Sequence, residues 1–493
     1  MVNDPRTLHD RLVAQPRPAD LVLAPDGTRL ILSVGALDDE GTRYVSELWE
    51  VDPTGERDPR PVTGSVQGDS APVFAADGTL TVLSTRGTDD PPGAGVWTLS
   101  ANGEAERIAH HPGGTTAFTI AARSRALAYT AGLLPGAADA RTHGDLLQQR
   151  QRSGVTAILY EATPTRAGGV DLGPAEPHTF VLRGDAPPVD AGGQGLAGTG
   201  DMALSADGTA VAYTRAPTST APDTNVVVMA DAATGVERRT FSRPGHQYYR
   251  PVFTADGTLL ICQRQREETY DSEWRVTLVA FDVESGEETD LLPDFDNWPW
   301  PGRAIPSPVA GDATLWFTGD ERGHCPVFRR DPDGTVTRLT ASGAYASLCV
   351  TPDGATLYAL RSTLDSPPQA VRLDAGEPDQ DPTLLKTPGD LGPLPGTLTE
   401  VHTTADDGFA LRAWLILPED AAPDVPSPSS SRRTADPSPP GPAGHGSGTP
   451  GPSWPADTRY SCPTLPCPPD TGNRCRHAAA AGTAAGLTAT SSP

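Results

Sequence analysis

The chain has 493 residues, enough for one large repeat domain plus part of another. Acidic residues outnumber basic ones 63 to 38, a formal charge of −25 that argues against a nucleic-acid groove or an anionic membrane surface as partner. No apolar run reaches the length of a transmembrane helix and Met1-Val2-Asn3-Asp4-Pro5-Arg6 lacks the apolar core of a signal peptide, so the expected location is cytoplasmic.

In chain order, residues 1–20 form a polar lead-in, where Leu8-His9-Asp10-Arg11-Leu12-Val13 predicts a short helix. Pro25-Asp26-Gly27-Thr28 then makes a tight turn that feeds the apolar run Leu30-Ile31-Leu32, and this pairing recurs. Asp-Gly or Gly-Asp returns at Asp77-Gly78, Asp207-Gly208, Asp256-Gly257, Gly311-Asp312 and Asp353-Gly354, with a degraded copy at Arg123-Ser124-Arg125. Each stands just ahead of a short apolar run. The aspartate caps its own backbone and the glycine takes the positive φ that other residues resist, so a strand must follow. Copies lie 42 to 55 residues apart, except for 84 between Ser124 and Gly208, where a segment is inserted.

Some 20 residues into each repeat comes a second signature of strand, polar turn and strand. Leu48-Trp49-Glu50-Val51-Asp52-Pro53-Thr54-Gly55 is the clearest, with relatives at 96–103, 226–231, 278–286 and 327–334. These read as the outer hairpins of four-stranded blades. Seven in-order copies favour a propeller over a β-sandwich, and the predicted fold is all-β: a seven-bladed β-propeller of TolB/WD40-like repeats over residues 21–375.

The long gap predicts a helical insertion over about 131–200, with a helix from Ala138 to Arg152 and a resumed strand at Val155-Thr156-Ala157-Ile158-Leu159-Tyr160. A solvated decoration and a contact with a neighbouring domain both fit it. Trp298 and Trp300, flanked by Pro299 and Pro301, are expected to pack between blades, and 264–269 to be a charged loop. Cys262, Cys325 and Cys349 are scattered, and Cys462, Cys467 and Cys475 sit near the C-terminus; neither set has a zinc spacing, and His324 beside Cys325 reads as structural.

A linker rich in Asp, Gly and Pro covers 376–395. Thr397-Leu398-Thr399-Glu400-Val401-His402-Thr403 and Leu411-Arg412-Ala413-Trp414-Leu415-Ile416-Leu417-Pro418 then form two strands about an Asp406-Asp407-Gly408 turn, outside the repeat period, so 396–422 opens a new domain. Propeller, linker and this hairpin together resemble the prolyl oligopeptidase family of serine peptidases, specifically its acylaminoacyl-peptidase-like members, over residues 15–422. The resemblance implies that the hairpin is the first part of an α/β-hydrolase domain. In that family the next core strand ends in a His-Gly-Gly-Pro turn contributing to the oxyanion hole, followed by a Gly-x-Ser-x-Gly elbow, an Asp and a His.

No Gly-x-Ser-x-Gly occurs in this sequence. Residues 423–493 hold 15 prolines in 71 positions and no Ile, Phe, Lys or Glu, a composition that cannot build a core and predicts a disordered Pro/Ser/Ala/Gly-rich tail. One lysine, Lys386, among 38 basic residues points to a gene rich in G and C. Back-translated with such codons and read from each codon's third base, Thr434-Ala435-Asp436-Pro437 becomes His-Gly-Gly-Pro, and 453–472 reads as the family's next strand and loop. The tail is therefore expected to be out of frame, with the hydrolase domain incomplete.

The expected function is that of the substrate-gating propeller of a serine peptidase acting on short or acylated peptides, in a chain itself inactive for want of the Ser, Asp and His. A non-enzymatic propeller that binds a protein partner is the alternative. No catalytic, cofactor-binding or metal-ligating residue is assigned, no cofactor is expected, and the partners implied by the resemblance are peptides, with neither nucleic acid nor membrane.

Overall fold

The computed structural model describes residues 5–417 apart from 88–92, 101–103, 161–164, 168–169, 197, 217–224, 300–301, 390–393, 395, 407 and 409, together with 429–431 and 459–464. The Asp-Gly turns generate its architecture. In the first, Gly27 has φ +74°, the Asp26 carboxylate accepts the Thr28 amide at 3.0 Å, and Leu30–Leu37 follows as a strand. Asp77, Asp207, Asp256 and Asp353 each accept the amide two residues on in the same way. In the reversed copy Asp312 does so for Thr314, and in the degraded copy the Ser124 hydroxyl accepts from Ala126 at 3.3 Å.

Each turn joins the first and second strands of a four-stranded antiparallel sheet, and seven such blades occupy 17–61, 69–109, 115–193, 202–241, 246–290, 305–338 and 344–384. This is the seven-bladed propeller expected. The second strands bury both sides; Leu30, Ile31 and Leu32 are all fully buried. They must, because every blade is packed between two others. Seven apolar clusters fill the interfaces. Val211, Tyr213 and Val228 of blade 4 meet Ala128 and Val181 of blade 3, and Leu260, Cys262 and Val279 of blade 5 meet Ala212 and Val227 of blade 4.

Among the described residues no strand crosses between the first and last blades to close the ring, since each blade is built from consecutive strands. Blades 7 and 1 are held instead by packing of Tyr358, Leu360 and Ala370 against Leu21, Leu30, Leu32 and Val34. At the rim of this seam Lys386 Nζ donates to Asp58 Oδ1 and to the Glu56 carbonyl, both at 2.8 Å.

Three boundaries move. Glu176–Leu182 and Val189–Gly193 are the third and outermost strands of blade 3, so the excursion is 134–175 rather than 131–200. Within it the helix is Ala140–Arg152, capped by Asp139, whose side chain accepts the Thr142 amide. Val155–Tyr160 is not a strand: it follows the helix without a ladder partner. At the other end, Thr383–Leu384 is the outer strand of blade 7, placed inside the expected linker, and at the start Arg17–Leu23 reaches into the expected lead-in behind a helix at Pro5–Ala14.

Beyond the ring, Thr397–Thr404 pairs antiparallel with Ala410–Leu417. The latter pairs antiparallel with Arg459–Thr464, which runs parallel to Ser429–Ser431. Both short strands fall inside the segment expected to be disordered; residues 434–437 lie outside the described residues. No described helix is long and apolar enough to cross a membrane.

Candidate functional site

Because strands alternate in direction, the two faces of the ring differ. First-to-second and third-to-fourth connections share one face, which is made of tight Asp-Gly and Asp-Pro turns. Second-to-third and blade-to-blade connections share the other. That loop face carries the 134–175 excursion and the long connections of blades 5 and 6. Loops on a rigid scaffold are where binding residues collect.

The excursion is fastened to the loop face by two buried histidines. His143, on the helix, accepts the Leu134 amide at Nδ1 (3.0 Å), and its ring lies 5.3 Å from that of His111, which precedes blade 3. His111 is fully buried, with Nε2 3.1 Å from the Gly132 carbonyl. Burial, reinforced by its neighbour His143, pulls its pKa down to about 4, so at neutral pH it is an uncharged ring. It packs against Phe180 at 4.8 Å.

The 397–417 hairpin meets the same face. The Trp414 ring stands edge-on to His324 at 5.7 Å, and the Arg412 guanidinium lies 4.7 Å over Trp414 while pairing with Glu400. His324 is in the second-to-third connection of blade 6 and accepts the Gly343 amide at 3.1 Å. Burial and then the Arg412 charge hold its pKa below the usual histidine range, which favours the neutral ring in this edge-on contact. Trp414→Ala is expected to release the hairpin, raising the rate of limited proteolysis within 396–417 several-fold while the ring's thermal midpoint stays put. An unchanged cleavage rate would show that the contact does not hold it.

The first strand of each blade lines the central channel. In four of these strands the pairing slips at one slot: between Pro18 and Leu21, Ser70 and Val73, Tyr249 and Val252, and Ala346 and Cys349. In three of them the bulged residue is left-handed without being glycine: Ala71 (φ +49°), Arg250 (φ +53°) and Ser347 (φ +51°). Each stands seven residues before the glycine of its Asp-Gly turn. Such backbone costs on the order of 1 kcal/mol or more and re-aims a side chain, which is why bulges gather at functional sites. Arg250 is half-buried, and the charges that act on it belong to Asp201 of blade 4 and Arg303 ahead of blade 6.

Residues weighed in the sequence fall elsewhere. Cys262 and Cys325 are buried and Cys349 half-buried, with burial pushing each thiol up, so none is a reactive thiolate. Trp298 packs edge-on against Trp274 at 4.5 Å, whereas Trp300 lies outside the described residues. Arg264 and Arg266 belong to a blade 5 strand rather than a loop. Arg264 bridges Glu288 and Asp290 in a recess of about 560 Å³ between the outer strands of blades 4 and 5, where its charge is satisfied internally. Among the described residues no group of three or more His, Cys, Asp or Glu could hold a metal ion. Arg250, Arg303 and the His111–His143 pair were missed by sequence reasoning.

No family model matches the chain, and no curated protein matches it significantly in sequence. Solved structures do. Acylaminoacyl peptidase in complex with Z-Gly-Gly-Phe-chloromethyl ketone superposes with a TM-score of 0.64 at 12% identity, over 93% of this chain and 66% of that one. Pyrococcus horikoshii acylaminoacyl peptidase gives 0.61 at 13%, over 87% and 61%. A prolyl endopeptidase gives 0.58 at 12%, over 97% and 65%. This chain thus spans just under two thirds of the length of those proteins and shares their propeller fold.

Proposed function

We propose that residues 17–384 are the substrate-gating propeller of a serine peptidase for short or acylated peptides, and that this chain does not itself hydrolyse them. The observation that carries the reading is the docking of the 397–417 hairpin, through Trp414 and His324, onto the loop face of a seven-bladed ring. In the prolyl oligopeptidase resemblance a hydrolase domain begins at that hairpin. A parallel pair such as Ser429–Ser431 with Arg459–Thr464 needs a crossover connection, as an α/β sheet supplies. The out-of-frame reading gains support from position: 434–437, read as His-Gly-Gly-Pro, come three residues after one of these strands, and 453–472 contain the other.

Inactivity follows from chemistry. Without a Gly-x-Ser-x-Gly elbow no serine is presented to a base and an oxyanion hole. The purified chain is therefore expected to leave acyl-peptide and peptidyl p-nitroanilides intact and to resist a fluorophosphonate probe. Turnover above blank together with serine labelling would overturn this. Resequencing the gene from codon 415 onward tests the frame: a continuous reading to an elbow and a distal histidine supports a peptidase, and a confirmed break leaves a propeller whose role is binding.

A further inference from the structure

The outer sheet edges of the ring are guarded. The outermost strands of the seven blades run two to five residues, and all but the two-residue Thr383–Leu384 carry a charged side chain: Arg60, Glu106, Asp190, Glu237, Glu288 or Arg338. Short length and charge keep an unpaired edge from taking another strand. Thr397–Thr404 is guarded far less. It is eight residues long, lies at one edge of its sheet, and among the described residues pairs on one side only, in an unbroken register from Thr397↔Leu417 to Thr404↔Ala410. It contains no proline, glycine, lysine or arginine, and its threonines and Val401 are β-branched residues suited to a ladder. Thr397, Thr399 and the run 401–404 are exposed. Its one acidic side chain, Glu400, accepts from Arg412 Nε of the neighbouring strand and so does not project as a free charge from the edge.

We propose that this edge pairs with the same strand of a second copy of the chain, antiparallel about a two-fold axis through Val401. The register follows from the residues. Backbone N–H and C=O groups turn to the open side at every second position, so two copies of one strand must oppose residues of like parity, and the axis falls on a residue. Centred on Glu400 it sets two carboxylates face to face; centred on His402, two imidazoles. Centred on Val401 it opposes Glu400 to His402 twice, Thr399 to Thr403 twice and Val401 to itself, and takes all of 398–404 into the ladder. Opposite charges and threonine pairs across a ladder stabilise it, whereas like charges do the reverse. Glu400 and His402 already share a face, with His402 Nε2 3.0 Å from Glu400 Oε1, so the pairing extends an existing polar contact across the axis. In a chain of formal charge −25 broad contact between copies is repulsive, which confines association to a strand whose own charges match.

The test is sedimentation velocity of the full chain over a concentration series, joined to cross-linking at the axis. A monomer–dimer equilibrium is expected, half complete on the order of 10 μM as suits a small interface. Val401→Lys puts two cations on the axis and should leave the chain monomeric. His402→Glu opposes glutamates at both symmetric positions and should weaken the dimer about ten-fold, whereas His402→Lys should keep it. Residues directly opposed across a ladder have Cα atoms about 4.5–5.5 Å apart, within disulfide reach. Val401→Cys should therefore form a covalent dimer on mild oxidation, beyond any given by the unaltered protein. Thr399→Cys, about 13 Å from its own counterpart in this register, should not. A chain that stays monomeric throughout overturns the proposal, and protection of the 397–404 amides from hydrogen exchange in that monomer would show the edge covered by another part of the chain. A dimer that survives Val401→Lys, or that Thr399→Cys cross-links as well as Val401→Cys does, overturns it too. If Val401→Lys raises proteolysis within 396–417, and so disturbs the hairpin itself, the contrast between His402→Glu and His402→Lys decides.

Discussion

Leu32→Ala is expected to destabilise the ring by about 2–5 kcal/mol and to loosen it at one place. Leu32 is fully buried in the interface where blade 1 meets blade 7, packed in a cluster with Leu30, Val34, Tyr358 and Leu360. At this joint, among the described residues, no strand of blade 1 is built into the sheet of blade 7 or the reverse, so packing carries the closure. Removing three carbons leaves a cavity that neither sheet can collapse around, because each is fixed by its other neighbour. Leu260→Ala, equally buried between blades 4 and 5, removes the same atoms from a joint that the chain itself bridges. Both should lower the denaturant midpoint. Only Leu32→Ala should make the amides of blades 1 and 7 exchange hydrogen ahead of the rest. Equal, uniform acceleration in the two variants would mean that the seam is no weaker than any other interface.

How much of this could be read from the residues depends on how local the cause is. The seven turns were legible because Asp, Gly and the strand behind them act within six residues, and even the degraded copy works, Ser124 doing with a hydroxyl what Asp26 does with a carboxylate. Blade 3 was misread for the opposite reason. Glu176–Leu182 begins with a proline as its second residue and joins Leu127–Leu133 only after an excursion of 42 residues, 134–175, so its partner is invisible in sequence. Val155–Tyr160 has the apolar content of a strand but no neighbour to pair with, and a strand exists only as half of a ladder.

The channel position shows the same division. A bulge is a property of register between two strands, and nothing in the identity of Arg250 announces it. The usable signal was the repeat itself: alignment on the turn glycine brings Ala71, Arg250 and Ser347 into one column, where the arginine is conspicuous. The His111–His143 pair offered no such signal. Its members are brought together by the return of the excursion onto blade 3, a contact that repeat alignment cannot see because only this blade has an excursion.

That pair makes the second large effect a pH dependence. His111 has an ordinary pKa of 6.5 when unfolded and about 4 in the ring, through burial first and then the neighbouring His143. Below pH 6.5 the unfolded chain takes up a proton that the folded one refuses, so stability falls, by about 3 kcal/mol for His111 once pH nears 4. Groups facing His111 are His143 on the helix, His110 beside it and Asp190 on the outer strand of blade 3; the Asp190 carboxylate, which favours the charged form, is the weakest of these influences. Three other histidines bear on the same titration, and the first of them, His143, is itself held below the usual histidine range by burial and so adds to the acid limb. His178 is held 2.9 Å from Asp190; burial opposes its charge but the carboxylate prevails and its pKa is raised. Its contribution is complete below pH 6.5 and is lost only as pH rises through the folded value, so it does not mask the acid limb. His324 is lowered and does add to it. Turn carboxylates such as Asp52 and Asp231, held well below 3.8 first by Arg57 and Arg238, lose their share only in stronger acid. Denaturant midpoints measured from pH 8 to 4 should therefore fall steeply below 6.5 in the unaltered protein. They should fall less in His111→Gln, whose amide can still donate to the Gly132 carbonyl. The helix Ala140–Arg152, which His143 pins to this site, should become protease-sensitive over the same interval. Parallel midpoint curves for the two proteins would show that His111 does not set the acid limb, and a helix that stays protected while stability falls would place the loss elsewhere, with His324 as the next position to replace.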